Sequence, residues 1–208
     1  MPLFSIGMNS MKKQVNILSQ KDVFNHKIFR IVEAELDHEL FSGAMSKPIT
    51  RLSLERGDSV AMLIHNSQAD TIVLTEQFRY PTYNIDDDSR SGWLLEIAAG
   101  MIDQGEDPEI AIHREVMEET GYEVVEVQHI STFFLSPGGS SERIHLYYAR
   151  VNPEHKRQDG GGLETEGEDI RVIDMTFKDA FTGIATGRIV DAKTIIALQW
   201  LHLKRLTS

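Results

Sequence analysis

Glu115, Glu118 and Glu119 are the residues of this chain whose type and spacing could do chemistry together. On a helix turning about 100° per residue they share an arc of roughly 100°, while Ile112 and Val116 fall on the neighbouring face. Like charges so spaced repel by roughly a few tenths of a kcal/mol per pair, so the stripe is either a solvated face or one compensated by a cation. Oxygen-only donors suit hard cations such as Mg²⁺ or Mn²⁺. With no cysteine in the chain and no histidine pair on this face, zinc is disfavoured. Cations held on carboxylates would let an acidic protein engage an anionic ligand.

The helix that carries these acids has legible ends. Asp107 suits the N-cap, Pro108 the first helical position and Gly121 the position just past the last turn. Before it, the apolar run Trp93 to Gly100 leads into a polar loop. Residues 23–56 alternate apolar and polar types, as in Ile28 to Val32 and Arg51 to Leu54, with a turn signal at Ser42-Gly43, and predict an N-terminal β-meander or hairpin. Ser59 to His65 and Thr71 to Phe78 read as a further hairpin, and Tyr83 to Gly92, with Asp86-Asp87-Asp88-Ser89, as an exposed loop. Strands follow at Gln128 to Leu135, Arg143 to Val151 and Ile170 to Met175. The glycine-rich stretch Asn152 to Asp169 reads as a mobile loop. Two helices close the chain, Lys178 to Thr186 and Ala192 to Arg205, the second capped by Asp191. No internal repeat or interdomain linker is evident.

Composition bounds the rest. The 208 residues, 41% hydrophobic, suffice for one packed domain with a small appended unit. A formal charge of −11 argues against a nucleic-acid partner, which needs clustered Lys and Arg, although solubility alone accounts for such a charge. No run approaches the roughly 18 apolar residues of a membrane span, and Met1 to Lys13 lacks the pattern of a secretory signal, so a cytoplasmic protein with no membrane partner is expected. The absence of cysteine rules out disulfides and thiolate catalysis.

Gly100, Glu106, Arg114, Glu115, Val116, Glu118, Glu119 and Gly121, in this order and spacing, resemble the Nudix box; its final aliphatic position is Tyr122 here. The resemblance extends from about Asp22 to Leu203 through Leu40-Phe-Ser-Gly43-Ala-Met-Ser46, Leu54-Glu-Arg-Gly57, Glu76-Gln-Phe-Arg79, Leu95 to Gly100, Leu135 to Arg143 and Gly167 to Val172, which look like the bacterial ADP-ribose pyrophosphatase subfamily. It implies an α/β fold, an α/β/α sandwich around a mixed β-sheet over residues 57–208, preceded by a β-rich dimerisation segment over residues 1–56. It also implies a homodimer that exchanges its N-terminal strands. Glu115 and Glu119 would be ligands of Mg²⁺, for which Mn²⁺ could substitute, with Glu118 a third ligand or close support and Ala99 contributing its carbonyl. Arg114 would hold the glutamates and Glu106 the preceding loop. Arg51, Arg79, Ser136 and Gly138 would border the substrate. The glycine-rich loop would carry the catalytic base, Glu166, with Glu164 and Glu168 as rivals.

For the reaction, the resemblance puts first the hydrolysis of ADP-ribose to AMP and ribose 5-phosphate. The alternative is a GDP-mannose or other nucleotide-sugar pyrophosphatase, because relatives of that kind carry a similar Gly-Gly-Gly-Leu-Glu loop and an Asp-x-Lys-Thr motif like Asp191-Ala-Lys193-Thr194. A third reading, a sensor that binds ADP-ribose without cutting it, conflicts with a complete set of box acids.

Overall fold

The computed structural model describes residues 13–83 and 92–207; the acidic segment Asp86 to Ser89 and the first twelve residues lie outside them. The chain divides into two compact units. One holds the described residues up to Arg56 together with Gly138–Ser141, and the other holds Gly57–Pro137 and Glu142 onward.

The N-terminal unit is a three-stranded antiparallel sheet in the order β1 (Val15–His26), β2 (Phe29–His38), β3 (Ile49–Glu55). The first strand starts well before residue 23, where sequence alternation becomes visible. Its middle residues, Ser19-Gln20-Lys21-Asp22, are polar and exposed, so they pair without alternation and interrupt the pattern between Val15-Asn16-Ile17-Leu18 and residue 23. Lys27, at φ 52°, makes the turn into β2, which puts Ile28 in the turn rather than in a strand. The expected Ser42-Gly43 turn is present, with Gly43 N–H donating to Leu40 O at 3.0 Å. Gly138–Ser141 joins this unit because Leu54 N–H donates to Gly139 O and Ser141 N–H to Leu54 O, at 2.8 and 3.3 Å. The first unit thus combines the described residues before Gly57 with this one later segment.

The second unit begins with β4 (Ser59–Asn66) and β5 (Thr71–Phe78), followed by a helical turn α1 (Tyr80–Tyr83). Then come β6 (Trp93–Glu96), β7 (Ala98–Met101), α2 (Pro108–Thr120), β8 (Val127–Phe134) and β9 (Arg143–Val151), and last β10 (Arg171–Thr176), α3 (Phe177–Ala185) and α4 (Ala192–Thr207). The sheet runs β10-β5-β4-β9-β8 and is mixed, since β4 pairs in parallel with β9 and antiparallel with its other partners. Every residue of β4 is buried, as expected for a strand covered on both faces. Val60, Met62 and Ile64 point to Ala111, Ile112 and Val116 of α2, whereas Ala61 and Leu63 join Ala180 of α3 and Ala197, Leu198 and Leu201 of α4. This is the expected α/β/α sandwich.

The Ser59 to Phe78 hairpin is real only at its tip. β4 and β5 pair over Ile64↔Val73 to Asn66↔Thr71 and then part, so that β6 pairs with β5 and β7 with β4. The apolar run 93–100 is thus two strands broken at Ile97. That break brings Glu96 and Ala99 into the splayed sheet beside α2.

The stretch 152–169 is tethered, in contrast to the free loop its glycines suggest. Arg157 N–H donates to Gly121 O at 2.8 Å, Gly161 N–H to Glu119 O at 2.9 Å and Gly162 N–H to Glu118 O at 3.1 Å. These bonds satisfy carbonyls that the end of a helix leaves unpaired.

Candidate active site

The α2 helix starts and stops where its residue types demand. Asp107 accepts from Glu109 N–H at 2.8 Å, Pro108 follows, and Gly121 ends the helix at φ 72° with its N–H on Met117 O. Glycine is needed there twice over, because an added Cβ would also lie 2.0 Å from Gln158 O.

The helix presents its acids beside Ala99 and Gly100. Glu119 is 2% exposed and accepts from Ala99 N–H at 3.1 Å. Burial pushes its carboxyl up to about 8, helped by the charges of Glu115 and Glu168 and opposed by the Ala99 N–H. Glu115 is pushed up to about 7, again by burial first, although Arg114 pulls it down. Gly100 leaves room for this carboxylate: a Cβ there would sit 1.9 Å from Glu115 Cδ.

Arg114 ties the helix to the loop before it. Its Nε and Nη2 donate to the two oxygens of Glu106 at 3.1 and 2.9 Å, and Nη2 also reaches Met101 O at 3.1 Å. Its Nη1 donates to Glu115 at 2.8 Å and to Glu118 at 3.3 Å. Because Arg114 draws these two aside while Glu119 rests on Ala99, no three described acids or imidazoles converge on one point. The donor set is nonetheless all oxygen, half-buried or buried, and negative in sum, which is what a hard divalent cation takes.

Sequence reasoning passed over Glu96. It is buried, accepts from Arg79 Nε at 3.1 Å and from Nη2 at 2.6 Å, and its own carbonyl accepts from Thr75 Oγ1 at 3.3 Å. The signal was present: a carboxylate between Leu95 and Ile97 in an apolar run requires a buried partner. Arg79 also feels the charges of Glu119 and Asp191. Asp191 in turn binds Lys193 Nζ at 2.8 Å and accepts from both the N–H and the hydroxyl of Thr194, at 2.9 and 2.7 Å. Thr194 Oγ1 then accepts from Ile97 N–H at 2.9 Å, so the start of α4 clamps the break between β6 and β7.

The other expected residues fall as follows. Glu166 closes a single 3-10 turn, Glu164–Glu166, and its side chain lies outside the described residues. Glu164 is exposed, whereas Glu168 accepts from Leu163 N–H at 2.9 Å and its charge reaches Glu115 and Glu119. Arg51 belongs to the N-terminal unit, where Nη1 donates to Thr50 O at 2.9 Å, and so does Gly138; Ser136 is exposed beyond the end of β8. Within the second unit, Arg79, Ala99, Arg114, Glu115, Glu118 and Glu119 are brought together.

A mixed α/β/α sandwich that lodges a glutamate-bearing helix against a Gly100 cradle defines the class as a Nudix-type hydrolase. A model of the NUDIX domain matches residues 55–198. A GDP-mannose pyrophosphatase of Yersinia pestis (strain Pestoides F) is 38% identical over 184 residues, spanning 88% of this chain and 90% of the relative. One of Escherichia coli O1:K1 / APEC is 40% identical over 152 residues, or 73% and 77% of the two chains. The chain belongs to the Nudix family and is a hydrolase. Among the described residues, no helix is long and apolar enough to cross a membrane.

Proposed function

We propose that this Nudix hydrolase cuts the pyrophosphate linkage of a nucleoside diphosphate sugar, with GDP-mannose as the substrate and GMP and mannose 1-phosphate as products. The observation that carries this is the similarity to GDP-mannose pyrophosphatases over most of both chains. The Asp191-Lys193-Thr194 corner, built against Ile97 and electrostatically linked to Arg79, adds to it. ADP-ribose, first in the sequence reading, is the second reading. It is favoured by the blocks around Leu54 to Gly57 and Glu76 to Arg79 and disfavoured by the relatives' names.

Glu115, Glu119, Glu118 and the Ala99 carbonyl would hold Mg²⁺, or Mn²⁺ in its place. A half-buried and a buried carboxylate, held at about 7 and 8 by desolvation, are groups that a cation would return to the charged state. The bound cation would screen the diphosphate and polarise its P–O bonds. Arg114 holds Glu115 and Glu118 in place, and Arg79 offers a planar fork to the diphosphate or the terminal sugar; the family resemblance would add Arg51, Ser136 and Gly138 as substrate contacts. Glu166 takes the proton of the attacking water; the P–O bond to the leaving phosphate breaks as the new one forms. Glu168, committed to Leu163 N–H, fixes the loop that carries Glu166.

The working protein is a homodimer that exchanges N-terminal strands. Val15, Ile17, Leu18, Phe24 and Leu52 of the N-terminal sheet, and Phe41 in the turn after β2, all expose large apolar side chains, Phe41 completely. Chromatography of products from GDP-mannose and from ADP-ribose, each with Mg²⁺ and with EDTA, tests the assignment. Metal-dependent GMP release at the higher efficiency supports it, and faster AMP release from ADP-ribose transfers the assignment to the second reading.

A further inference from the structure

A cavity of about 650 Å³, within the range of small-molecule sites, opens at the far end of β9 and shares no residue with the carboxylate site. Three basic side chains line it: Arg150, His155 and Lys204, against one acid, Glu126. In a chain of net charge −11 this is a local reversal of sign.

Each basic group is held by its own scaffold. Arg150 Nε donates to Tyr148 Oη at 3.3 Å, which fixes the plane of the guanidinium. Among the described residues no acceptor meets its two terminal nitrogens. Lys204 Nζ donates to Gln128 Oε1 at 2.7 Å and sits over the rings of Tyr148 and Trp200, 5.0 and 4.7 Å from their centroids. His155 Nδ1 accepts from Asn152 N–H at 3.2 Å in a capping box; a backbone N–H can only donate, so the ring proton sits on Nε2. Donors fixed before a ligand arrives lose little freedom when it binds. Val125 and Val127 add an apolar part to the wall, which a bare inorganic anion would leave uncovered.

We propose that this cavity is a second ligand site that binds a small phosphate monoester. Arg150 and Lys204 take the phosphate oxygens, His155 Nε2–H donates to a third, and Val125 and Val127 cover the organic part. The inference does not depend on the substrate assignment.

The test is calorimetric titration of the full chain in EDTA with phenyl phosphate and, separately, inorganic phosphate. Saturable phenyl phosphate binding is expected, weakened about tenfold or more by Arg150→Gln and by Lys204→Gln, with inorganic phosphate bound about tenfold more weakly. Glu119→Gln should leave this binding unchanged, and thermal melts check that each variant is folded. Absence of saturable binding, equal binding by the two basic variants and the parent, or loss in Glu119→Gln would overturn the site. Equal affinity for the two anions would overturn the monoester.

Discussion

Gly100 and Glu115 are fitted to each other: the space in which the Glu115 carboxylate lies is the space that a Cβ on Gly100 would fill, at 1.9 Å from Cδ. The glutamate is thus steered by the residue facing it as much as by Arg114. Gly100→Ala should displace Glu115 and lower kcat by about a hundredfold, since a misplaced group of about 1 Å has that effect. Overpacking should cost about 1–3 kcal/mol of stability. Steady-state kinetics beside a denaturant melt checks both, and near-parental kcat would show that Glu115 needs no such cradle.

Arg79 and Glu96 form a pair whose two members differ in exposure, 37% for the arginine side chain and 5% for the glutamate. Removing the glutamate leaves a cation facing a buried gap, whereas removing the arginine strands a buried carboxylate. Glu96→Ala should cost about 2–3 kcal/mol, below the full range for a buried pair because Arg79 retains solvent. Arg79→Lys should keep the fold but lose the fork, raising KM more than it lowers kcat. Chemical unfolding reads the first and kinetics the second; a fall in kcat with KM unchanged for Arg79→Lys would place its effect in the transition state instead.

What the sequence made legible was what local chemistry determines. The ends of α2 follow from Asp107, Pro108 and Gly121, and α4 from Asp191. The stripe of glutamates needs only the helical period. The box assigned Arg114 to the glutamates and Glu106 to the preceding loop; that the two are bonded to each other was not legible in it. Hidden were features that long-range pairing decides. The break at Ile97 depends on Thr194, 97 residues away, and the Glu96 partner on the path of β5. Residues 15–22 pair as a strand although Ile17-Leu18 and the exposed polar run Ser19 to Asp22 break the alternation that would mark one. The glycines of 160–162 read as freedom, yet the backbone there is bound to the end of α2.

Asp191 joins two parts of the second unit, and its stability contribution should carry a pH signature. Burial alone would raise its pKa, but Lys193 and the donors of Thr194 outweigh this and hold it below the usual 3.8. A depressed folded-state pKa gives stability that is present above the unfolded value and lost as pH falls through the folded one. Asp191→Ala should therefore cost about 3 kcal/mol at neutral pH, combining a lost cap with an orphaned buried lysine. It should also flatten the acid limb below about pH 4. Urea melts at pH 7 and pH 3 measure this, and an acid limb as steep as the parent's would assign the pH dependence elsewhere.

Glu119 has the opposite sign. Its carboxyl is raised from 4.5 to about 8, so the folded chain without metal prefers it protonated, and stability should fall as pH rises between those two values. Glu119→Gln removes that penalty while an amide oxygen can still accept from Ala99 N–H. In EDTA at pH 8 the variant should melt higher than the parent by about 5 °C, with the gap closing at pH 5. Adding Mg²⁺ at pH 8 should raise the parent's Tm and leave the variant's unmoved, since only the carboxylate binds the ion strongly. Turnover of the variant should fall about a thousandfold or more. If Mg²⁺ raises both melting temperatures equally, the ion binds without Glu119, and the ligand set must be drawn from Glu115, Glu118 and the residues around them.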